Sequence, residues 1–184
     1  MRIYLFITLI GLFCSCADLN KKEQLSKIDL MNERLDSLNK ELIAHTIDSL
    51  PQLKLSTSTV ELRIKNNLIL DKIDSELGRK MDAYKRMRRA LNPLGEAFKK
   101  VKNGIFEERG TLKNLYSDIE NGYGERDKYD EYLTFESDKI NKISVLLNDY
   151  KEQKELIFKT YSELHDDLYN FSISLLEKKN KVTK

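Results

Sequence analysis

The sequence predicts an all-α protein: an elongated antiparallel three-helix coiled-coil-like bundle that follows a short N-terminal segment of different character. Three observations predict it. The 184 residues hold only 7 Gly, 2 Pro and no Trp, too little turn chemistry for an eight-stranded sandwich or barrel. Hydrophobic residues make up 40% and charged residues 34%, a mixture that suits helices with one apolar stripe. Along most of the chain the apolar residues recur at alternating spacings of three and four.

In the segment 18–50 the stripe is Ile28, Met31, Leu35, Leu38 and Leu42, a heptad seam with Leu25 and Ile47 close by. Pro51 is expected to end this helix, and Ser56-Thr57-Ser58-Thr59 reads as part of a polar connection over 52–59. Ser58 and Glu61 stand at capping-box spacing, which places the start of a second helix there. Its stripe runs through Leu62, Ile69, Ile73, Leu77, Met81, Tyr84, Met87 and Leu91. Pro93 lacks an N–H donor, so a kink or short break is expected at Asn92-Pro93, after which Leu94, Phe98, Val101 and Ile105 resume the apolar face. A separate short helix over 111–119 and a turn at Asn121-Gly122-Tyr123-Gly124 follow.

The third helix carries the most regular signal. Leu133, Glu136, Ile140, Ile143, Leu147, Tyr150, Ile157, Tyr161, Leu164, Leu168, Phe171 and Leu175 hold a 3-4 register, interrupted at Lys154. At 1.5 Å per residue, 126–179 would form a rod of roughly 80 Å. The second helix with its extension is of similar length, and an antiparallel hairpin of the two with the first helix alongside satisfies all the stripes.

The N-terminus reads differently. Arg2 gives a positive start, residues 3–13 (Ile-Tyr-Leu-Phe-Ile-Thr-Leu-Ile-Gly-Leu-Phe) are almost entirely apolar, and Ser15-Cys16 follow. That run is shorter than the ~20 residues a spanning helix needs. A cysteine placed just after such a run, behind a small residue, resembles the lipobox of bacterial lipoproteins. The resemblance covers about the first 16 residues and implies a signal peptide over 1–15, cleavage before Cys16, lipidation of Cys16 and a short tether over 16–24, with the helical domain over 25–184. Cys14 fits less well, because bulky Phe13 precedes it. Two or three acyl chains at ~0.8 kcal/mol per buried methylene anchor a protein stably, where one alone is marginal. Ala17 after the cysteine implies, by the same resemblance, an outer-membrane protein facing the periplasm. With Cys16 acylated, residues 17–184 hold no cysteine for disulfides or thiol chemistry.

Chemistry is sparse elsewhere. The two histidines, His45 and His165, have no metal-ligand spacing, though His165 stands next to Asp166 and Asp167. No phosphate-binding or nucleophile-elbow glycine motif is present. No catalytic residue, metal or cofactor is therefore expected, and an enzyme is not the expected class. The net charge of +2 excludes the strongly basic balance of a nucleic-acid binder. Charge is nevertheless clustered: Arg79, Lys80, Lys85, Arg86, Arg88, Arg89, Lys99, Lys100 and Lys102 form a basic block, and ten acids against five bases follow over 107–139. These blocks are expected to face each other across the hairpin, or else the basic one is a patch for an anionic partner. The expected function is a lipid-anchored envelope protein, structural or interacting, with the membrane and an envelope protein as partners and a homo-oligomer compatible with the seams. The alternative is a surface-exposed lipoprotein that binds an anionic or host ligand.

Overall fold

The computed structural model describes residues 2–69 and 74–182, with side chains described for 20–69 and 74–181. The chain is all-α: helices α1 (Arg2–Ala44), α2 (Leu50–Asn67), α3 (Ser75–Asn121) and α4 (Tyr129–Val182), with a 3-10 turn at Arg126–Lys128 before α4. Ile73, Thr183 and Lys184 lie outside the described residues.

The contacts divide into two units. Unit 1 comprises Met1–Ala44 and Lys100–Leu147; unit 2 comprises His45–Lys99 and Asn148–Lys184. Each is a bundle of three helical segments. In unit 1, Ile28, Leu35, Leu38 and Leu42 of α1 are buried with Val101, Ile105, Leu112, Leu115 and Ile119 of α3 and Leu133, Ile140, Ile143 and Leu147 of α4. Asp36 pairs with Arg109 while Asn20 and Lys21 lie beside Ile119 and Glu120, so α1 runs antiparallel to this part of α3; Lys27 pairs with Asp130 while Arg34 lies near Asp138, so it runs parallel to α4. Gly104 belongs to this packing, since a Cβ there would stand 3.3 Å from Ile143 Cγ1. In unit 2 the buried set is Leu53, Val60 and Ile64 of α2, Tyr84, Met87, Leu91 and Leu94 of α3, and Tyr150, Ile157, Leu168 and Leu175 of α4. The ion pair Arg88–Glu61 and the Lys179–Asn67 hydrogen bond, 3.1 Å, set its helix order the same way.

Several element boundaries differ from expectation, each for a physical reason. Pro51 starts α2 instead of ending α1, because at the first helical positions its missing N–H costs nothing. The expected connection over 52–59 is helical. Its hydroxyls do not cap: Thr57 Oγ1 and Thr59 Oγ1 donate to the carbonyls of Leu53 and Leu55 four residues back, both at 2.8 Å. Ser58 and Glu61 therefore lie inside α2 and form no capping box. The α2 stripe has a different phase, Leu53, Thr57, Val60 and Ile64, which leaves Leu62 and Ile69 exposed.

The cap of α3 is Asp74, whose Oδ1 accepts from the N–H groups of Glu76 at 3.0 Å and Leu77 at 2.9 Å. From there α3 runs through Pro93, Gly104 and Gly110 and absorbs the short helix expected over 111–119. Pro93 removes one backbone hydrogen bond, while Leu91 and Leu94 on either side are fully buried and hold the helix in place. The helix ends at the expected turn, where Gly122 and Gly124 have φ of 70° and 77°. Tyr129 closes it, its hydroxyl shared between the carbonyls of Asp118, 2.9 Å, and Tyr123.

In α4 the expected seam holds from Leu133 to Ile157, then shifts. His165 and Ser172 are buried, whereas Leu164 and Phe171 are only half-buried. The spacing 157, 161, 165, 168, 172, 175 contains two successive steps of four, a stutter that turns the next residue inward.

Candidate functional site

Each unit buries polar side chains in its seam. In unit 1 the α3 register 101, 105, 108, 112 places Glu108 where an apolar residue is the rule, and the α4 register 133, 136, 140 does the same for Glu136. Glu108 is 2% exposed and Glu136 8%. Lys139, one turn on from Glu136, reaches both: its Nζ lies 2.8 Å from Glu108 Oε2 and 2.6 Å from Glu136 Oε2. Its ammonium also stands 5.7 Å from the centre of the Phe135 ring. Glu108 Oε1 is buried with no hydrogen-bond partner.

Burial is the main force raising the Glu108 carboxyl to about 7, with a hydrogen bond and repulsion from Glu136 adding to it and Lys139 opposing. Desolvation pulls the Lys139 ammonium down, but its bonds to the two glutamates outweigh that and raise it.

In unit 2 the stutter in α4 brings His165 inward against α2 and α3. Tyr84 Oη lies 2.6 Å from His165 Nδ1, and Ser56 Oγ lies 3.3 Å from Nε2. Tyr161 stacks on the imidazole with ring centres 4.3 Å apart. Burial pushes the Tyr84 phenol far above its ordinary value, with Tyr161 and Glu61 adding to the shift, so the phenol keeps its proton. Burial also lowers the His165 pKa, opposed by Asp166. The neutral imidazole has one donor and one acceptor nitrogen, so it bonds to the Tyr84 hydroxyl through one and to the Ser56 hydroxyl through the other. This arrangement ties α2, α3 and α4 together through one ring.

Lys154, the interruption in the α4 seam, donates from Nζ to the His45 carbonyl at 2.9 Å, beside the Tyr150 hydroxyl at 2.5 Å from the same oxygen. The two side chains hold the segment between α1 and α2, supplying donors that a helix end lacks. No group of three metal-ligating side chains occurs among the described residues, and His165 faces Tyr84 and Ser56.

The basic block lies on α3. Arg79, Lys80, Lys85, Arg86, Arg88, Arg89 and Lys99 belong to unit 2, Lys100 and Lys102 to unit 1. Its ion pairs go to Glu76, Asp82 and Glu96 on the same helix, to Glu61 of α2 and to Asp167 of α4. Among the described residues none goes to the acids of 107–139, so no ion pair joins the two blocks as expected. Arg79, Lys85, Arg89, Lys100 and Lys102 form no ion pair among the described residues. The side chains of Cys14, Cys16 and the rest of the lipobox-like segment lie outside those described. Among the described residues no helix is long and apolar enough to cross a membrane.

No protein-family model matches the chain, and comparison with curated proteins and with solved structures finds no match. The candidate groups that reasoning from sequence left aside are Glu108 and the Tyr84–His165 pair. Glu108 was detectable as a carboxylate at a heptad seam position. His165 was not, because the unbroken register places Leu164 inward.

Proposed function

We propose that the protein is a lipid-anchored component of a bacterial envelope that works as a structural or protein-interaction module. The observation that carries this reading is the sequence Arg2, the apolar run 3–13 and Ser15-Cys16. An acyl anchor at Cys16 would attach an all-α body to the membrane surface without a spanning helix. The body fits a binding role better than a reactive one. Its buried polar groups bond to one another across helices. Under this reading the outer membrane is the site of attachment and another envelope protein is the partner.

Fractionation of cells producing the full chain tests the anchor. Wild type and Cys14→Ala are expected in the membrane fraction as an acylated, shortened chain, and Cys16→Ala as an unprocessed or soluble one. A processed Cys16→Ala protein that still partitions into detergent would overturn the reading.

A further inference from the structure

We propose that Glu108, Glu136 and Lys139 form a proton-operated latch between α3 and α4 of unit 1: one shared proton closes it, and loss of that proton leaves one ammonium to balance two buried carboxylates. The inference is independent of the lipid anchor.

The geometry supports it in three ways. Two carboxyls, 2% and 8% exposed, converge on a single ammonium, so the ionised set carries one uncompensated negative charge away from water. Glu108 Oε1 has no donor, and a buried acceptor without a donor carries its whole desolvation penalty. A proton on either carboxyl removes the excess charge and supplies a donor between the two, as in other carboxyl pairs that share a site.

Nothing else at this level compensates. On α3 itself the flanking Glu107 and Arg109 are exposed, and Arg109 pairs with Asp36. From α1 the inward residues are Leu35 and Leu38, and the charged Arg34 and Asp36 are exposed. From α4 come only Glu136 and Lys139, with Asp138 exposed. The raised Glu108 carboxyl agrees with this count of charges.

The direction follows from linkage. Between an ordinary glutamate value of 4.5 and about 7 the folded set holds a proton that the unfolded chain has released. Stability from this source is complete in acid and is lost as pH rises through about 7. One proton corresponds to at most about a tenfold rise in the unfolding constant per pH unit across that window.

The test compares the full chain with Glu108→Gln, which keeps the shape and removes the ionisation. Unfolding is followed by circular dichroism in detergent from pH 5 to 8.5. The wild-type unfolding constant is expected to climb relative to the variant by about tenfold or more over the range, with the variant the more stable above pH 8. Infrared spectroscopy supplies a reading that does not depend on unfolding: a protonated-carboxyl band that survives at pH 6 in the wild type and is missing from Glu108→Gln. Parallel pH profiles for the two proteins, or a wild-type band that disappears at the pH of an ordinary glutamate, would overturn the latch. If Glu108→Gln fails to fold, Glu136→Gln gives the same comparison, and the wild-type band alone still decides.

Discussion

In unit 1 two carboxyls and an ammonium bond to one another at the seam; in unit 2 an imidazole, a phenol and a hydroxyl do so. Both units stack segments of three helices around heptad stripes, and both place polar side chains where apolar ones pack best. They differ in the protonation state that burial favours. Desolvation always disfavours the charged form, so it raises Glu108 and lowers His165. The pH responses consequently have opposite signs. The contribution of Glu108 to stability is expected to fall as pH rises from 4.5 through about 7. That of His165 is expected to fall as pH drops below 6.5 towards its lowered folded value, because the unfolded imidazole takes up the proton first. Similar backbones can thus carry opposite acid sensitivities, decided by a single buried group in each.

The largest expected effect breaks the comparison on the unit 1 side. Lys139→Met removes the ammonium that both carboxyls share and is expected to destabilise the chain at pH 8 by about 3 kcal/mol, the scale for a buried pair stripped of one partner. At pH 5.5, where the carboxyls hold a proton, the loss should be much smaller, and denaturant melts at the two pH values measure both. An equal loss at both would mean that Lys139 acts through packing alone. Next in size is Tyr84→Phe in unit 2, which leaves His165 Nδ1 without its hydrogen-bond partner and should cost about 1–3 kcal/mol. Amide hydrogen exchange read separately over 53–64 and 101–119, corrected for intrinsic rates, should show faster opening in the first region only. Equal acceleration in both would show that the two units do not open independently.

The smallest effect concerns Lys154. As an interruption of an apolar seam, replacement by leucine would raise the melting temperature. As the donor to His45, Lys154→Leu should instead lower stability by about 1 kcal/mol. A thermal melt gives the sign, and a rise would restore the simple seam.

The parts of the fold that were legible in sequence are those where apolar residues alone set the phase. The α3 seam from Tyr84 to Ile105 and the α4 seam from Leu133 to Ile157 read correctly because most of their positions hold large apolar side chains, whose burial sets the phase across Glu136 and Lys154 as well. In α2 the buried stripe includes Thr57, whose hydroxyl is satisfied by its own helix, so a scan for apolar residues selected the exposed Leu62 and Ile69 instead. The second half of α4 was misread for a related reason. Its stutter favours His165 over Leu164, and only contacts with Tyr84 and Ser56, distant in sequence, repay that choice. Proline misled as a boundary signal, since Pro51 lies in the first turn of α2 and Pro93 inside α3, which runs past it without a break.

The corner between α3 and α4 has a further consequence, for how this sequence tolerates change in length. One phenol, Tyr129, divides its single proton between carbonyls eleven and six residues earlier in the chain, so the number of residues in the turn is itself part of the bonding pattern. Side-chain replacements on the exposed residues 125–128 leave that pattern intact. A residue added or deleted there moves the hydroxyl away from its acceptors and rotates every later α4 position by about 100° relative to the α3 seam. The turn is therefore fixed in length, and in composition it is held at the two glycines, whose φ values most side chains resist, and at Arg126, whose Nε donates to the Gly122 carbonyl at 2.7 Å.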